Sequence, residues 1–366
     1  VTLQATHSAL LHAFDLCVER GGHTVIEISE LTVEPHRVLT LIGPNGAGKS
    51  TLLLTLAGLL KPHHGALVFR GQAIDSARAR AAYRKHLAMV FQEPLLFNTS
   101  VFENVASGLK LRGKTGKIIR STVEKNLEQF GISHLAHRSA RTLSGGEAQR
   151  ASLARAFAIE PEIIFLDEPF ASLDAPTREA LVDDLHAILC ETKTTAIIAT
   201  HDRMEALRLS DTMAVMFQGK IAQIGRPEDV MNHPADEQVA SFVGTETILT
   251  GTVSKIYDGT FLLSIAGAEL EAVGVVKAGE QAVCCIRPEH VTIHTNTPSA
   301  HSSARNFFTG IIVKIVPMGL FYKIYLDCGF PLVSFVTSQS LEHLELQEGK
   351  TVVASVKATA IHVIKK

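Results

Sequence analysis

Two kinds of hydrophobic pattern divide the chain. Up to about residue 240, short continuous apolar runs alternate with stretches of helical spacing. The runs "RVLTLIG" at 37–43, "IIFLD" at 163–167 and "TAIIATHD" at 195–202 are β-rich. Runs of this length suit strands covered on both faces, which predicts a mostly parallel sheet. Between them, "IRSTVEKNLEQF" at 119–130 and "TREALVDDLHAILC" at 177–190 have helical spacing. The stretch from about 92 to 155 is poor in strands and reads as a helical insertion. The first 240 residues are therefore predicted to form an α/β domain with a helical subdomain.

Beyond about 245 the period shortens. "TGTVSKIY", "TFLLSIAG", "TGIIVKIV", "FYKIYLD" and "TVVASVKATAIHVI" are short strand patterns separated by glycine and turn residues. They predict an all-β region of small barrels. This region repeats internally: "KAGEQAVCCIRPEHVTI" at 277–293 aligns without gaps to "QEGKTVVASVKATAIHV" at 347–363. Gly279 matches Gly349, Arg287 matches Lys357, and Val291 matches Ile361. "TGTV" at 250–253 likewise matches "TGII" at 309–312. Two five-stranded units are expected, at 246–298 and 303–366.

Composition narrows the function. With a net charge of −2, the chain carries no broad electrostatic attraction for nucleic acid, and none is expected as a partner. Its longest apolar run, "TLLLTLAGLL" at 51–60, is too short to span a bilayer. Work at a membrane would thus require a spanning partner. Cys17, Cys190, Cys284, Cys285 and Cys328 form no C-x-x-C pair and read as reduced, mostly buried thiols. Cys284 and Cys285, being adjacent, would point to opposite faces of a strand.

Chemistry concentrates where the buried strands end. "GPNGAGKST" comprises Gly43, Pro44, Asn45, Gly46, Ala47, Gly48, Lys49, Ser50 and Thr51, and it fits G-x-x-x-x-G-K-[ST]. Set between a strand and a helix, it lets backbone N–H groups cradle phosphates. Lys49 reaches the β and γ phosphates, and Ser50 can ligate Mg²⁺. "IIFLDEP" ends a strand in two carboxylates: Asp167 can hold Mg²⁺, and Glu168 can orient or deprotonate the attacking water. "LSGGEAQR" at 143–150 places Ser144, Gly145, Gly146 and Glu147 before a helical run, which makes a second anion-binding helix start. One nucleotide does not need two such cradles from a single domain.

Together these motifs resemble the ATP-binding cassette (ABC) family over residues 1 to about 240. In that family the serine–glycine stretch is the signature motif, which contacts the γ-phosphate held by the opposing subunit. The resemblance implies that Gln92 in "VFQEP" is the Q-loop glutamine, a third Mg²⁺ ligand beside Ser50 and Asp167. It makes Ser172, Leu173 and Asp174 the D-loop at a dimer interface, and His201 in "ATHD" the switch histidine. Glu168, His201 and Lys49 would be catalytic, with ATP and Mg²⁺ as cofactors. With one P-loop and one signature motif in the chain, the working unit would be a homodimer. The family's adenine-stacking aromatic falls near Arg20 in "ERGGHTV", so Arg20 or His23 would have to take that role. The turn "EPHR" also departs from the usual Gly-Glu.

The segment after Gln92, "LLFNTSVFENVASGLKLRG" at 95–113, lies where importer ATPases receive the membrane subunit. Leu95, Leu96, Phe97 and Phe102 could line that groove or belong to the helical core. "RPEDVMNHP" and "IRPEH" resemble importers with a C-terminal regulatory β-domain of the TOBE type. "SARN" at 303–306 and "SLEHLELQEGKTVVASVKATAIHVI" at 340–364 resemble the molybdate-binding (Mop) domain. The last segment alternates: Val352, Ala354, Val356, Ala358 and Ala360 on one face, Ser355, Lys357 and Thr359 on the other. Ser303, Arg305, Asn306, Lys357, Ala358 and Thr359 are the candidate oxyanion site, since a tetrahedral dianion needs donors. The first repeat has Pro288 and Glu289 where the second has Ala358 and Thr359, which assigns the anion to the second copy.

The resemblance therefore implies the ATPase subunit of an oxyanion importer, for tungstate or molybdate. It would sit peripherally on the cytoplasmic face of the inner membrane, with permease subunits and, indirectly, an extracytoplasmic oxyanion-binding protein. An importer for sulfate, polyamine or sugar is one alternative. A soluble ABC ATPase with a ligand-binding tail is another.

Overall fold

The computed structural model describes residues 9–296 and 302–365. Positions 1–8, 297–298 and 366 of the expected domains lie outside them. The chain divides into two units, Val1–Glu228 and Asp229–Lys366.

The first unit contains the strands β1 (Leu11–Arg20), β2 (His23–Val33), β3 (Val38–Ile42), β4 (His64–Phe69), β5 (Gln72–Ala73), β6 (Leu87–Val90), β7 (Ile163–Asp167), β8 (Thr195–Thr200), β9 (Thr212–Phe217) and β10 (Lys220–Gly225). Six of them form one sheet in the order β10-β9-β3-β8-β7-β6. It is parallel except at β10, which pairs antiparallel with β9. All of β3 and β8 and the first four residues of β7 are buried, which explains their unbroken apolar runs. A second, antiparallel sheet, β2-β1-β4-β5, was not predicted by the apolar-run pattern. Its strands mix buried and exposed positions, and none is buried throughout, so no long continuous apolar run marks them.

The helices of this unit are α1 (Lys49–Leu56), α2 (Ala77–Tyr83), α3 (Val101–Leu111), α4 (Gly116–Gln129), α5 (Gly145–Phe157), α6 (Ala175–Thr192) and α7 (Arg203–Leu209). Three of them, α3, α4 and α5, occupy the stretch expected to be helical and pack on one core through Val105, Val123, Leu127, Phe130, Leu153 and Phe157. On the other face of the parallel sheet, α1 and the antiparallel sheet share a second core.

The second unit contains β11 (Thr247–Ile256), β12 (Thr260–Ile265), β13 (Ala268–Val273), β14 (Gln281–Ile286) and β15 (Thr292–His294), then β16 (Asn306–Pro317), β17 (Phe321–Asp327), β18 (Pro331–Thr337), β19 (Thr351–Val356) and β20 (Ile361–Lys365). The repeat is visible element by element. A short 3-10 turn, Pro288–His290, separates β14 from β15, and Ala358–Ala360 separates β19 from β20. Gly279 and Gly349 both adopt positive φ, 80° and 86°. Each donates its N–H to the matching strand, Gly279 to Val253 O at 2.9 Å and Gly349 to Ile312 O at 2.8 Å.

The two copies exchange their final strands. The sheets run β13-β12-β11-β14-β20 and β15-β19-β16-β17-β18. Thus β20 of the second copy completes the first sheet, and β15 of the first copy completes the second. Both sheets close over one core that includes Phe261, Leu263, Ile286, Ile324, Leu332 and Val356. Cys284 faces that core, while Cys285 faces a smaller cluster with Ala240 and Ile364. No described cysteine is bonded to another, and Cys190 is exposed.

The exchange corrects one expectation. Residues 352–360 are not one alternating strand: β19 stops at Val356, and the 3-10 turn redirects the chain to a different sheet. Alternation holds at Val352 and Ala354, but Ser355 is buried too.

Candidate nucleotide site

The P-loop joins the end of β3 to α1. Gly43 has no room for a side chain, since a Cβ there would lie 2.3 Å from the Met216 carbonyl oxygen. Gly48, the N-cap of α1, has φ 100°, a conformation L side chains rarely adopt. Lys49 is 5% exposed and folds back over the loop. Its Nζ donates to Gly43 O at 2.8 Å and Pro44 O at 3.1 Å, and lies 3.8 Å from Glu168 Oε1. Burial lowers the Lys49 pKa, and Glu168 and Asp167 oppose that shift.

The end of β7 supplies the carboxylates. Ser50 Oγ donates to Asp167 Oδ1 at 2.8 Å. Burial raises the Asp167 pKa, partly offset by that hydrogen bond and reinforced by Glu168. Glu168 takes a left-handed conformation, φ 44°, while its N–H donates to Ala199 O of β8 at 2.8 Å. The cross-strand bond helps hold a backbone geometry that is unfavourable for a glutamate. His201, one residue beyond β8, places Nδ1 3.1 Å from Glu168 Oε2. Lys49, Ser50, Asp167, Glu168 and His201 thus meet beyond the carboxyl ends of β3, β7 and β8, the crevice where open α/β sheets bind ligands.

Ser50 and Asp167 fit a magnesium site. Their oxygens are in contact, and a carboxylate whose burial disfavours its charge would gain from a hard cation. Gln92, the third expected ligand, is exposed two residues beyond β6.

The signature stretch forms its own helix start. Ser144 caps α5 in a reciprocal capping box: its Oγ accepts from Glu147 N at 3.3 Å, and Glu147 Oε2 accepts from Ser144 N at 2.7 Å. That backbone hydrogen bond lowers the Glu147 pKa. A Cβ at Gly146 would meet Thr177 Cγ2 at 2.7 Å, so α5 and α6 pack closely there. Within the chain, the hydrogen bonds of Ser144 go to Glu147 rather than to the P-loop. In the D-loop, Ser172 and Asp174 are exposed, whereas Leu173 is buried in its own unit's core. Asp174 caps α6 by accepting from Thr177 N at 3.1 Å.

Leu95 and Phe97 are 58% and 59% exposed, while Leu96 and Phe102 pack against the helical core. The core reading therefore holds for Leu96 and Phe102, while Leu95 and Phe97 remain exposed. Arg155 supports the exposed half, donating to Leu95 O at 2.7 Å with its guanidinium 5.8 Å from the Phe97 ring centroid. Sequence reasoning also missed Arg178, which donates to Leu173 O at 2.9 Å and lies 3.9 Å from both Asp202 and Glu205. It ties the D-loop to the segment after His201, and no motif marks it. Arg20 and His23 pair across the β1–β2 turn, and both are exposed.

The ABC transporter family profile matches residues 26–171, and a TOBE domain profile matches residues 302–363. A molybdate/tungstate import ATP-binding protein, WtpC of Pyrococcus horikoshii, is 37% identical over 88% of this chain and 91% of its own length. The chain belongs to the ABC transporter family, as an import ATP-binding subunit with a TOBE tail. A spermidine/putrescine import ATP-binding protein, PotA of Nitrosomonas europaea, is 34% identical over 91% of this chain and 92% of its own length. Among solved structures, cbiO1 of Clostridium perfringens, part of the ABC transporter complex cbiONQ, has a TM-score of 0.58 and 30% identity. It covers 65% of this chain, and 96% of its own length is matched. ABC import subunits of this kind bind ATP, couple its hydrolysis to transport and associate with permease subunits. No helix among the described residues is long and apolar enough to cross a membrane.

In the tail, Asn306 pairs with Val356 across β16 and β19. The ladder ends there; Arg305 and Lys357, each one residue beyond it, are both exposed. Ser303 and Thr359 are also exposed, and Ala358 is buried. Asn306 differs from the rest of the candidate oxyanion set. It is 2% exposed, its Oδ1 accepts from Glu271 N at 2.7 Å, and its Nδ2 donates to Glu271 O and Val356 O at 2.9 and 3.2 Å. Both amide hydrogens are spent on backbone, which leaves none for an anion. Thr247, at the matching position of the first copy, accepts from Val333 N at 3.1 Å. The expected anion donor is therefore a clasp between the repeats.

Proposed function

We propose that this chain is the ATPase subunit of an importer for a tetrahedral oxyanion, tungstate or molybdate, working as a homodimer on the cytoplasmic face of the membrane. The observation that supports the cargo is that Arg305 and Lys357, the residues flanking the last Asn306–Val356 pair of the β16–β19 ladder, are both exposed. A polyamine would call for carboxylates at that place. The relative named for molybdate and tungstate is consistent with this reading.

ATP binds with its phosphates on the P-loop, where Lys49 exchanges its carbonyl and Glu168 contacts for the β and γ phosphates. Ser50, Asp167 and Gln92 would hold Mg²⁺, which would neutralise phosphate charge. Ser144, Gly145 and Gly146 of the partner subunit would complete the site, with Ser172 and Asp174 at the interface. Glu168 orients a water against the γ-phosphorus and accepts its proton as the new P–O bond forms. The bond to the β-phosphate oxygen breaks, and ADP leaves with that electron pair. His201 holds the Glu168 carboxylate in position. The resulting motion reaches the permease through the exposed Leu95 and Phe97.

Oxyanion accumulating inside the cell binds at Ser303, Arg305, Lys357 and Thr359 and biases the dimer against turnover. The test measures ATPase activity of the assembled transporter against tungstate, sulfate and spermidine. Tungstate is expected to inhibit the native protein and to lose that effect in Arg305→Gln/Lys357→Gln. Point variants are required because removing the tail would also remove β20 from the first sheet. Inhibition by spermidine but not tungstate would point to the polyamine alternative, and equal tungstate inhibition of variant and native protein would remove the oxyanion site.

A further inference from the structure

The strand exchange creates a second basic site that shares Thr359 with the oxyanion reading but none of its charged residues. A cavity of about 590 Å³ opens in the second unit where the end of β13, the turn after β14 and strand β20 come together. Arg287, His290, Lys365, His233 and His362 line it, and among the described residues no carboxylate does so. A cavity lined by five basic or protonatable side chains and no acid favours an anion.

The groups on its wall retain capacity. The Arg287 side chain is 22% exposed, and its polar contacts run through Nη1, to Asn232 Oδ1 at 3.4 Å and Glu289 Oε1 at 3.3 Å. Nη2 is left for a ligand, and Glu289 is not a lining residue. His290 uses Nδ1 against Ala360 O at 3.2 Å, which leaves Nε2. Valines also line the cavity: Val273, Val275, Val276 and Val363, with Val275 83% exposed. The rings of His233 and His362 meet edge to face at 5.5 Å beside it. His362 is anchored through Nε2 to Pro234 O at 2.9 Å.

Size separates this cavity from a bare oxyanion site. Its volume is in the roughly 300–1,000 Å³ range of clefts for organic ligands. A four-oxygen dianion would fill the basic end and leave the valine wall to water.

We propose that this cavity binds a small organic phosphate, its head on Arg287 and His290 and its body on the valine wall. The proposal does not depend on what the transporter carries. The experiment titrates the full-length chain, saturated with ADP and Mg²⁺ to fill the P-loop, with phenyl phosphate and with inorganic phosphate. Phenyl phosphate is expected to bind at least tenfold more tightly than inorganic phosphate. Arg287→Gln is expected to weaken phenyl phosphate at least tenfold. Val275→Glu, at an exposed position where folding is not at stake, is expected to do the same by placing a carboxylate in the cavity. Lys357→Gln is expected to leave this binding intact. Absence of phenyl phosphate binding, equal affinity for the two probes, or binding that survives both Arg287→Gln and Val275→Glu would overturn the proposal.

Discussion

The carboxyl end of the parallel sheet and the exchanged β repeats both gather polar side chains, and they use them differently. At the nucleotide end, Lys49, Ser50, Asp167, Glu168 and His201 meet in exchangeable contacts: the Lys49–Glu168 ion pair at 3.8 Å, the Ser50–Asp167 hydroxyl–carboxylate bond, and Glu168 against His201. A bound triphosphate and cation can replace those contacts. In the repeats, Asn306 is locked by three bonds to backbone, and Ser355 Oγ lies 2.8 Å from His294 Nε2. Parallel strands end together and leave their last side chains in a crevice. Exchanged antiparallel strands leave backbone groups at the seam between sheets, and polar side chains must satisfy them.

The largest break in this comparison is expected at Glu168. Glu168→Gln keeps the shape and removes the proton acceptor, so turnover should fall about 10²–10⁴-fold while ATP binding persists. Phosphate release and nucleotide titration check this, and unchanged turnover would refute the role. Next comes the clasp. Asn306→Ala strands Glu271 N, Glu271 O and Val356 O in the interior, which should cost roughly 3 kcal/mol in denaturant unfolding of the tail. Thr247→Val strands only Val333 N and should cost roughly 1–2 kcal/mol. If Asn306→Ala leaves stability unchanged and abolishes tungstate inhibition instead, the side chain belongs to the anion site after all.

The smallest effect is a pH dependence. Burial lowers the His362 pKa from its ordinary value of 6.5, with its Pro234 bond opposing and His233 adding to the shift. The unfolded chain then binds the proton more readily, so stability is fully present above about pH 6.5 and declines as pH falls toward the folded value. Melting of the native protein should drop below pH 6.5 more steeply than that of His362→Phe. Identical slopes would show that another group controls the transition.

Much of the nucleotide site was legible because local sequence carries its geometry. A glycine-rich loop between a strand and a helix, or a buried strand ending in Asp167 and Glu168, needs few distant contacts to be recognised. The β1–β2–β4–β5 sheet was harder to see, since a half-exposed strand mixes apolar and polar positions like many loops. Arg178 and Arg155 were invisible for another reason: a single arginine on a helix looks like a solvated charge until its partners are known. Leu173 illustrates the reverse case, a residue inside a recognisable motif whose side chain belongs to its own core.

The sequence by itself determined the order of elements, the phosphate-binding motifs and the existence of the tail repeat, because each is written in neighbours within a few residues. Only the tertiary structure decided that β15 and β20 change places, that residues 352–360 bend between two sheets, and that Asn306 closes the seam. The cause is physical: strand pairing is set by backbone hydrogen bonds between distant segments, and those bonds carry no residue signature until the partner strand is known.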